Sequence, residues 1–222
     1  MANHTQSAIA YQQISDMIFH MELMPGTRIS ELQLSSKLEI SRTPIHDALL
    51  RLSSEGLVKM EDKKSAVVRC FNDEEIREIG TLRLSQDILS AQLASYYGSA
   101  SDFDRLRQMA QVCEEAAAKG DIYNRITADS DFHLEIARIS GNSFLLSQQA
   151  SLYRQIHLIQ ICKYTDIESS LLQIHHHEPL IFAISKGDLS EVTRLICSHI
   201  SGFYCLDSYV LRCFGFSSDS TN

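Results

Sequence analysis

From Asn72 to about residue 214 the apolar side chains recur at helical spacing, and one proline alone, Pro179, falls inside that stretch. So long a helical pattern can bury its apolar stripes only by packing helix on helix. The C-terminal two-thirds is therefore expected to be an antiparallel all-α helical bundle. Helices are expected over 73–97, 102–119, 121–140, 143–164, 168–185 and 188–212. Breaks fall at Gly98-Ser99, Gly120-Asp121, Gly141-Asn142, Thr165-Asp166 and Gly187-Asp188. Asn72 and Glu75 spell a capping box at the start of the bundle. Residues 216–222 run into polar SSDSTN and are expected to fray.

The first 70 residues read differently. Ile9, Ile14, Met17 and Ile18 suggest a helix over 8–20, and Pro25-Gly26 is turn chemistry. Ser30 is placed to cap ELQLSSKL, with Glu31 at the positive end of its dipole. After the tight turn EIS, Ser41 or Thr43 is placed to cap a further helix, with Pro44 in its first turn. Its buried stripe is Ile45, Ala48, Leu49 and Leu52, and Gly56 ends it. Two short β-like runs follow, LVKM and AVVRC, separated by EDKKS. Three helices and a hairpin make a winged helix-turn-helix, in which the third helix enters the major groove of DNA. The competing reading is a small helical domain that only packs on a larger one. The domain limits follow as 1–70 for the winged unit, 71–215 for the bundle and 216–222 for the tail.

The net charge of −8 argues superficially against a nucleic-acid partner. It is unevenly spread, however. Residues 1–70 carry eight Lys/Arg against eight Asp/Glu, with a basic cluster at 59–69, whereas the rest of the chain carries twelve against twenty. The six cysteines show no CxxC spacing, so packed thiols are expected rather than disulfides or a cysteine zinc site. No apolar run approaches a membrane span and no leader-like start is present, which points to the cytoplasm and to no membrane partner.

Polar groups interrupt the apolar stripes of the bundle. Asp129 and His133, four apart, share a face with Ile122, Ile126 and Ile136. His177 shares one with Ile174, Ile181 and Ile184, and His199 with Val192, Ile196 and Phe203. A carboxylate in a core costs several kcal/mol, of order 3–5, unless it is paired. Asp129, His133, His177 and His199 on facing helices therefore make a divalent metal site, zinc first, with nickel or manganese as alternatives. The competing reading is a set of unrelated core histidines. His175 and His176 fall off the stripe. Arg83, with Asp87 at i+4, is either an ion pair or a guanidinium that meets a ligand carboxylate.

The stretch RISELQLSSKLEISRTPIHDALLRLSSEGLV resembles the winged-helix signature of GntR-family transcription regulators. PGTRIS, SRTP, AL.RL and EGLV stand in register with it. DSDFHLEIARISGN and HEPLIFAISKGDLSEVTRLICSHI resemble the FadR-type ligand-binding domain of that family, termed FCD. The two resemblances span about residues 8–210. They imply a homodimer on a palindromic double-stranded operator, with the bundle supplying dimer contacts and an effector cavity. The metal ligands they imply match Asp129, His133, His177 and His199, and Arg83 matches a position that contacts a small carboxylate effector. On the DNA side the expected contacts are Arg42, Thr43 and His46 from the recognition helix and Lys59, Lys63, Lys64 and Arg69 from the wing. The chain departs from the family pattern with Leu32 in place of Arg, His46-Asp47 in place of Arg-Glu, and Ser65 in place of the wing glycine. The reading is thus a regulator and not an enzyme. Its rivals are a metal-dependent enzyme acting on a small organic acid, and a regulator-like protein whose DNA binding has decayed.

Overall fold

The computed structural model describes residues 2–62, 65–163 and 177–216. Residues 168–176 of the helix expected over 168–185, His175 and His176 among them, the wing residues Lys63 and Lys64, and the tail from residue 217 lie outside the described residues. No helix among the described residues is long and apolar enough to cross a membrane. The chain divides into two compact units, Met1–Phe71 with Arg154–Cys162, and Asn72–Tyr153 with Lys163–Asn222.

In the first unit α1 (Ala2–Phe19) buries Ala10, Ile14, Met17 and Ile18 and packs on α3 (Arg42–Ser54). Between them come β1 (Arg28–Ser30) and α2 (Glu31–Leu38). Glu39, in the left-handed conformation at φ 56°, turns the chain out of α2. Ser30 and Ser41 hold the extended N-cap positions of α2 and α3, yet neither side chain caps. The expected hydroxyl caps are absent at both helices. Pro44 sits in the first turn of α3 and is buried with Ile45, Ala48, Leu49 and Leu52. The helix closes as a Schellman motif, with Gly56 at φ 74° and Leu57 N–H donating to Leu52 C=O.

The wing is larger than a hairpin. β2 (Val58–Asp62) and β3 (Ser65–Val68) pair antiparallel, and β1 joins the other edge of β3, in the order β1-β3-β2. Three residues are too few for an alternating pattern to show in the sequence. β1 forms because β3 offers it an unpaired edge, with Ile29 opposite Ala66.

The second unit holds α4 (Asp73–Tyr97), α5 (Ala100–Ala118), α6 (Ile122–Ile139), the start of α7 (Ser143–Lys163), α8 (His177–Lys186), α9 (Leu189–Tyr204) and α10 (Ser208–Cys213). Both bonds of the Asn72–Glu75 capping box form, and Ser99 with Asp102 makes a second one. α6 packs on α5 and α4, α9 on α4 and α8, and α8 on α5. Pro179 lies in the first turn of α8, where its missing N–H costs no helix bond. The expected continuous helix over 188–212 is instead broken. Cys205 is left-handed at φ 51°, Leu206 N–H closes on Ser201 C=O, and the Asp207 side chain caps α10.

Candidate metal and effector site

Asp129 and His133 project from α6, His177 from the first residue of α8, and His199 from α9. All four side chains are buried, and one ligand atom from each lies within 4.8 Å of the others. His177 Nε2 stands 3.1 Å from Asp129 Oδ1, and His133 Nε2 stands 3.3 Å from His199 Nε2. His133 and His199 Nε2 are each 3.9 Å from the same carboxylate oxygen. Four ligands at about 2.0–2.1 Å from a tetrahedral zinc lie roughly 3.3 Å apart, so the set fits one first-row ion.

The tautomers fit as well. His133 Nδ1 lies 3.4 Å from Asp87 Oδ2. A proton on Nδ1 facing that carboxylate leaves Nε2 with a bare lone pair aimed at the cluster, as metal-bound imidazoles require. Burial holds His133 and His199 well below the ordinary histidine pKa, so both offer neutral rings near pH 7. Burial opposes the charge on Asp129, but the His177 hydrogen bond and the field of the Arg83 guanidinium help outweigh it and hold the carboxyl well below the usual range. Asp129, His133 and His199 are therefore deprotonated and able to coordinate.

Arg83 lies beside the cluster on α4, only 2% exposed. Its Nε donates to Asp87 Oδ2 at 3.2 Å and its Nη1 to Tyr204 Oη at 3.3 Å. Burial works against its charge, yet Tyr153, Tyr204, Asp87 and Asp129 keep it cationic. Nη2 lies 3.7 Å from Asp129 Oδ2, and neither atom has a hydrogen-bond partner. An unspent guanidinium nitrogen thus faces the unspent carboxylate oxygen of the Asp/His cluster. Sequence reasoning offered an ion pair or a ligand contact for Arg83, and the geometry has room for both.

Several residues of this site went unread in the sequence. Asp87 also accepts from Tyr153 Oη, at 2.9 and 3.0 Å to its two oxygens, and from Gln149, which in turn accepts from Ser90. Gln149 and Tyr153 are four apart on α7. The test for polar groups on an apolar stripe, applied to that helix, finds them. Gly80, mid-α4, has no such signal. A Cβ there would lie 2.4 Å from Tyr204 Cβ, so the glycine is what lets Tyr204 cross α4 close enough to reach Arg83.

On the winged unit Arg42, Thr43 and Asp47 are exposed on α3 and Lys59 on β2. Arg69 is half-buried, with its guanidinium 4.4 Å over the Phe71 ring. His46 is engaged within the fold, since its Nδ1 lies 2.7 Å from Oε1 of the buried Glu31 on α2. One ring nitrogen is thus committed to holding α2 against α3. Leu32, 59% exposed, stands on the outer side of α2.

Residues 78–202 match the FCD domain, and residues 6–68 match the bacterial regulatory proteins of the gntR family. An HTH-type transcriptional regulator of Bacillus subtilis, YdhC, is 23% identical over 192 residues, covering 86% of this chain and 86% of its own. The Nta operon transcriptional regulator of Aminobacter aminovorans is 24% identical over 178 residues, 79% of this chain and 82% of its own. Among solved structures, E. coli McbR/YncC shares the fold with a TM-score of 0.78 at 18% identity, over 94% of this chain and 98% of that one.

Proposed function

The chain belongs to the gntR family of bacterial regulatory proteins and carries its FCD domain, and we propose that this transcriptional regulator senses a small carboxylate beside a divalent ion. Asp129, His133, His177 and His199 would hold the ion, with zinc first and nickel or manganese as alternatives. The ion, when bound, supplies a Lewis-acid anchor for an anionic oxygen. The observation that carries the reading is the pair of unpartnered atoms at the cluster, Arg83 Nη2 and Asp129 Oδ2. A carboxylate beside them would receive a charge-assisted bond from Arg83, already oriented by Asp87 and Tyr204. Asp87 is the nearest further carboxylate, and Arg83, Tyr153, Gln149 and His133 all engage it. It is poorly placed to shuttle protons, which favours binding over turnover and a regulator over an enzyme.

On the DNA side the reading is a cytoplasmic homodimer on a palindromic operator, with Arg42 and Thr43 at the groove and Lys59, Lys63, Lys64 and Arg69 near phosphates. The effector alters operator affinity by binding one arrangement of the dimer better than another. Elemental analysis should find about one ion per chain. A thermal-shift screen of small carboxylic acids, with and without chelator, should find acids whose stabilisation disappears with the metal. Full metal content in His199→Ala would sink the four-ligand site, and an uncharged apolar effector would sink the role of Arg83. Failure to select any operator would remove the DNA reading.

A further inference from the structure

We propose that Leu32, in the first turn of α2, reads the 5-methyl group of a thymine in the major groove of each operator half-site. The inference rests on the DNA reading above and adds a specificity-determining residue to it. The leucines of α2 divide by role. Leu34 is buried and, with the half-buried Leu38 one turn on, packs the helix into the winged unit, whereas Leu32 is 59% exposed. The core does not use Leu32.

Its place is fixed by its neighbour. The Glu31 carboxylate is buried against α3, with Oε1 2.7 Å from His46 Nδ1. That contact holds the first turn of α2 beside the second turn of α3. Leu32 follows Glu31 directly, about 100° further round the helix, and stands in solvent. Arg42 and Thr43, both exposed, lie one turn before His46 on α3. Leu32 therefore borders the face of the winged unit that enters the groove.

The chemistry on offer there is narrow. α2 carries one cation, Lys37, in its last turn and paired with Glu22 at 3.1 Å. No guanidinium fork reaches a guanine from the start of α2, and His46 Nδ1 is taken by Glu31. A leucine side chain neither donates nor accepts a hydrogen bond. The apolar group that base edges present in the major groove is the 5-methyl of thymine, and it is the one a leucine can recognise. Contact between the two removes apolar surface from water on both sides. Against any other base the leucine would strip water from nitrogen and oxygen atoms without replacing its hydrogen bonds. The same side chain thus favours thymine and disfavours the rest.

The test begins with operator duplexes selected by the wild-type protein from a random-sequence DNA pool. Each thymine is then replaced in turn by deoxyuridine, which lacks only the methyl group. One thymine per half-site should respond, with binding weakened about fourfold, as for one buried CH₂, and about 15-fold when both half-sites are changed. Leu32→Ala should bind the thymine and deoxyuridine duplexes alike. Leu32→Met, which keeps an apolar tip, should still tell them apart. Met24→Ala, which trims a side chain of similar exposure (57%) outside α2, should behave as the wild type. The thermal midpoint checks that each variant is folded, and the wild-type comparison needs no variant. A selected operator whose thymines can all be replaced without loss overturns the proposal and leaves the DNA reading standing. Discrimination that persists in Leu32→Ala, or that Met24→Ala also abolishes, overturns it as well. Failure to select any operator removes the DNA reading and the role of Leu32 with it.

Discussion

Replacing Gly80 with alanine separates two forces of opposite sign. In an exposed helix the change stabilises by about 0.8–1 kcal/mol, because glycine is the poorer helix former. Here the new Cβ would lie 2.4 Å from Tyr204 Cβ and 2.5 Å from its Cγ, where ordinary contact begins at 3.4 Å. The near atoms belong to the root of the side chain, so Tyr204 cannot swing away and α9 must retreat by about 1 Å, at an overpacking cost of ~1–3 kcal/mol. The Arg83 Nη1–Tyr204 Oη bond, already 3.3 Å long, does not survive that shift. A buried guanidinium nitrogen then loses its partner, for a further ~1–3 kcal/mol. The net expectation is a loss of about 1–5 kcal/mol after the helix gain. It is read as a fall in the thermal midpoint of several degrees in the metal-loaded protein, with carboxylate affinity reduced and metal content kept. A midpoint equal to or above that of the wild type would mean that propensity dominates and that Gly80 does not govern the Tyr204 contact.

Tyr153→Phe removes both phenol contacts to Asp87 and should cost about 1–2 kcal/mol, as for one buried hydrogen bond, while the metal stays. Metal loss in that variant would move Tyr153 from the Arg83 network into the support of the ligands. Because burial lowers the pKa of His133 and His199 in the folded chain, the unfolded chain binds more protons below about pH 6.5. Chelator-treated protein should therefore lose stability as pH falls below that value, by up to about 1.4 kcal/mol per pH unit for each imidazole; a flat thermal midpoint between pH 7.5 and 5.5 would contradict it. His46→Ala should loosen α2 from α3 by roughly 1 kcal/mol and leave the selected operator sequence unchanged. A changed base preference would instead make His46 a reader of the groove.

The parts legible in the sequence are those set by local periodicity. The Asp129–His133 spacing places both on one face of α6, and the stripe positions of His177 and His199 point at the same layer, so the four groups that the structure gathers were identifiable one helix at a time. Contacts that depend on how helices cross were not legible. Tyr204 reaching Arg83 over Gly80, and Glu31 capturing His46 across the turn of the winged unit, join residues whose pairing no period predicts. The break at Cys205 escaped notice because its left-handed residue is not a glycine and no proline follows. β1 escaped notice because three residues carry no alternation.

The buried groups around Arg83 also fix a charge count. Two carboxylates, Asp87 and Asp129, face one guanidinium there, and metal-bound imidazoles are neutral. A divalent ion turns that enclosure from net negative to a single net positive charge. One anionic group on the effector brings the balance to zero, whereas a second would have to remain buried without a counter-ion or stay in the solvent. The site is thus expected to sort acids by valence before it sorts them by shape. A matched pair of mono- and dicarboxylic acids of equal chain length, compared by titration calorimetry, would favour the monoacid, and tighter binding of the diacid would show that a further cation completes the enclosure.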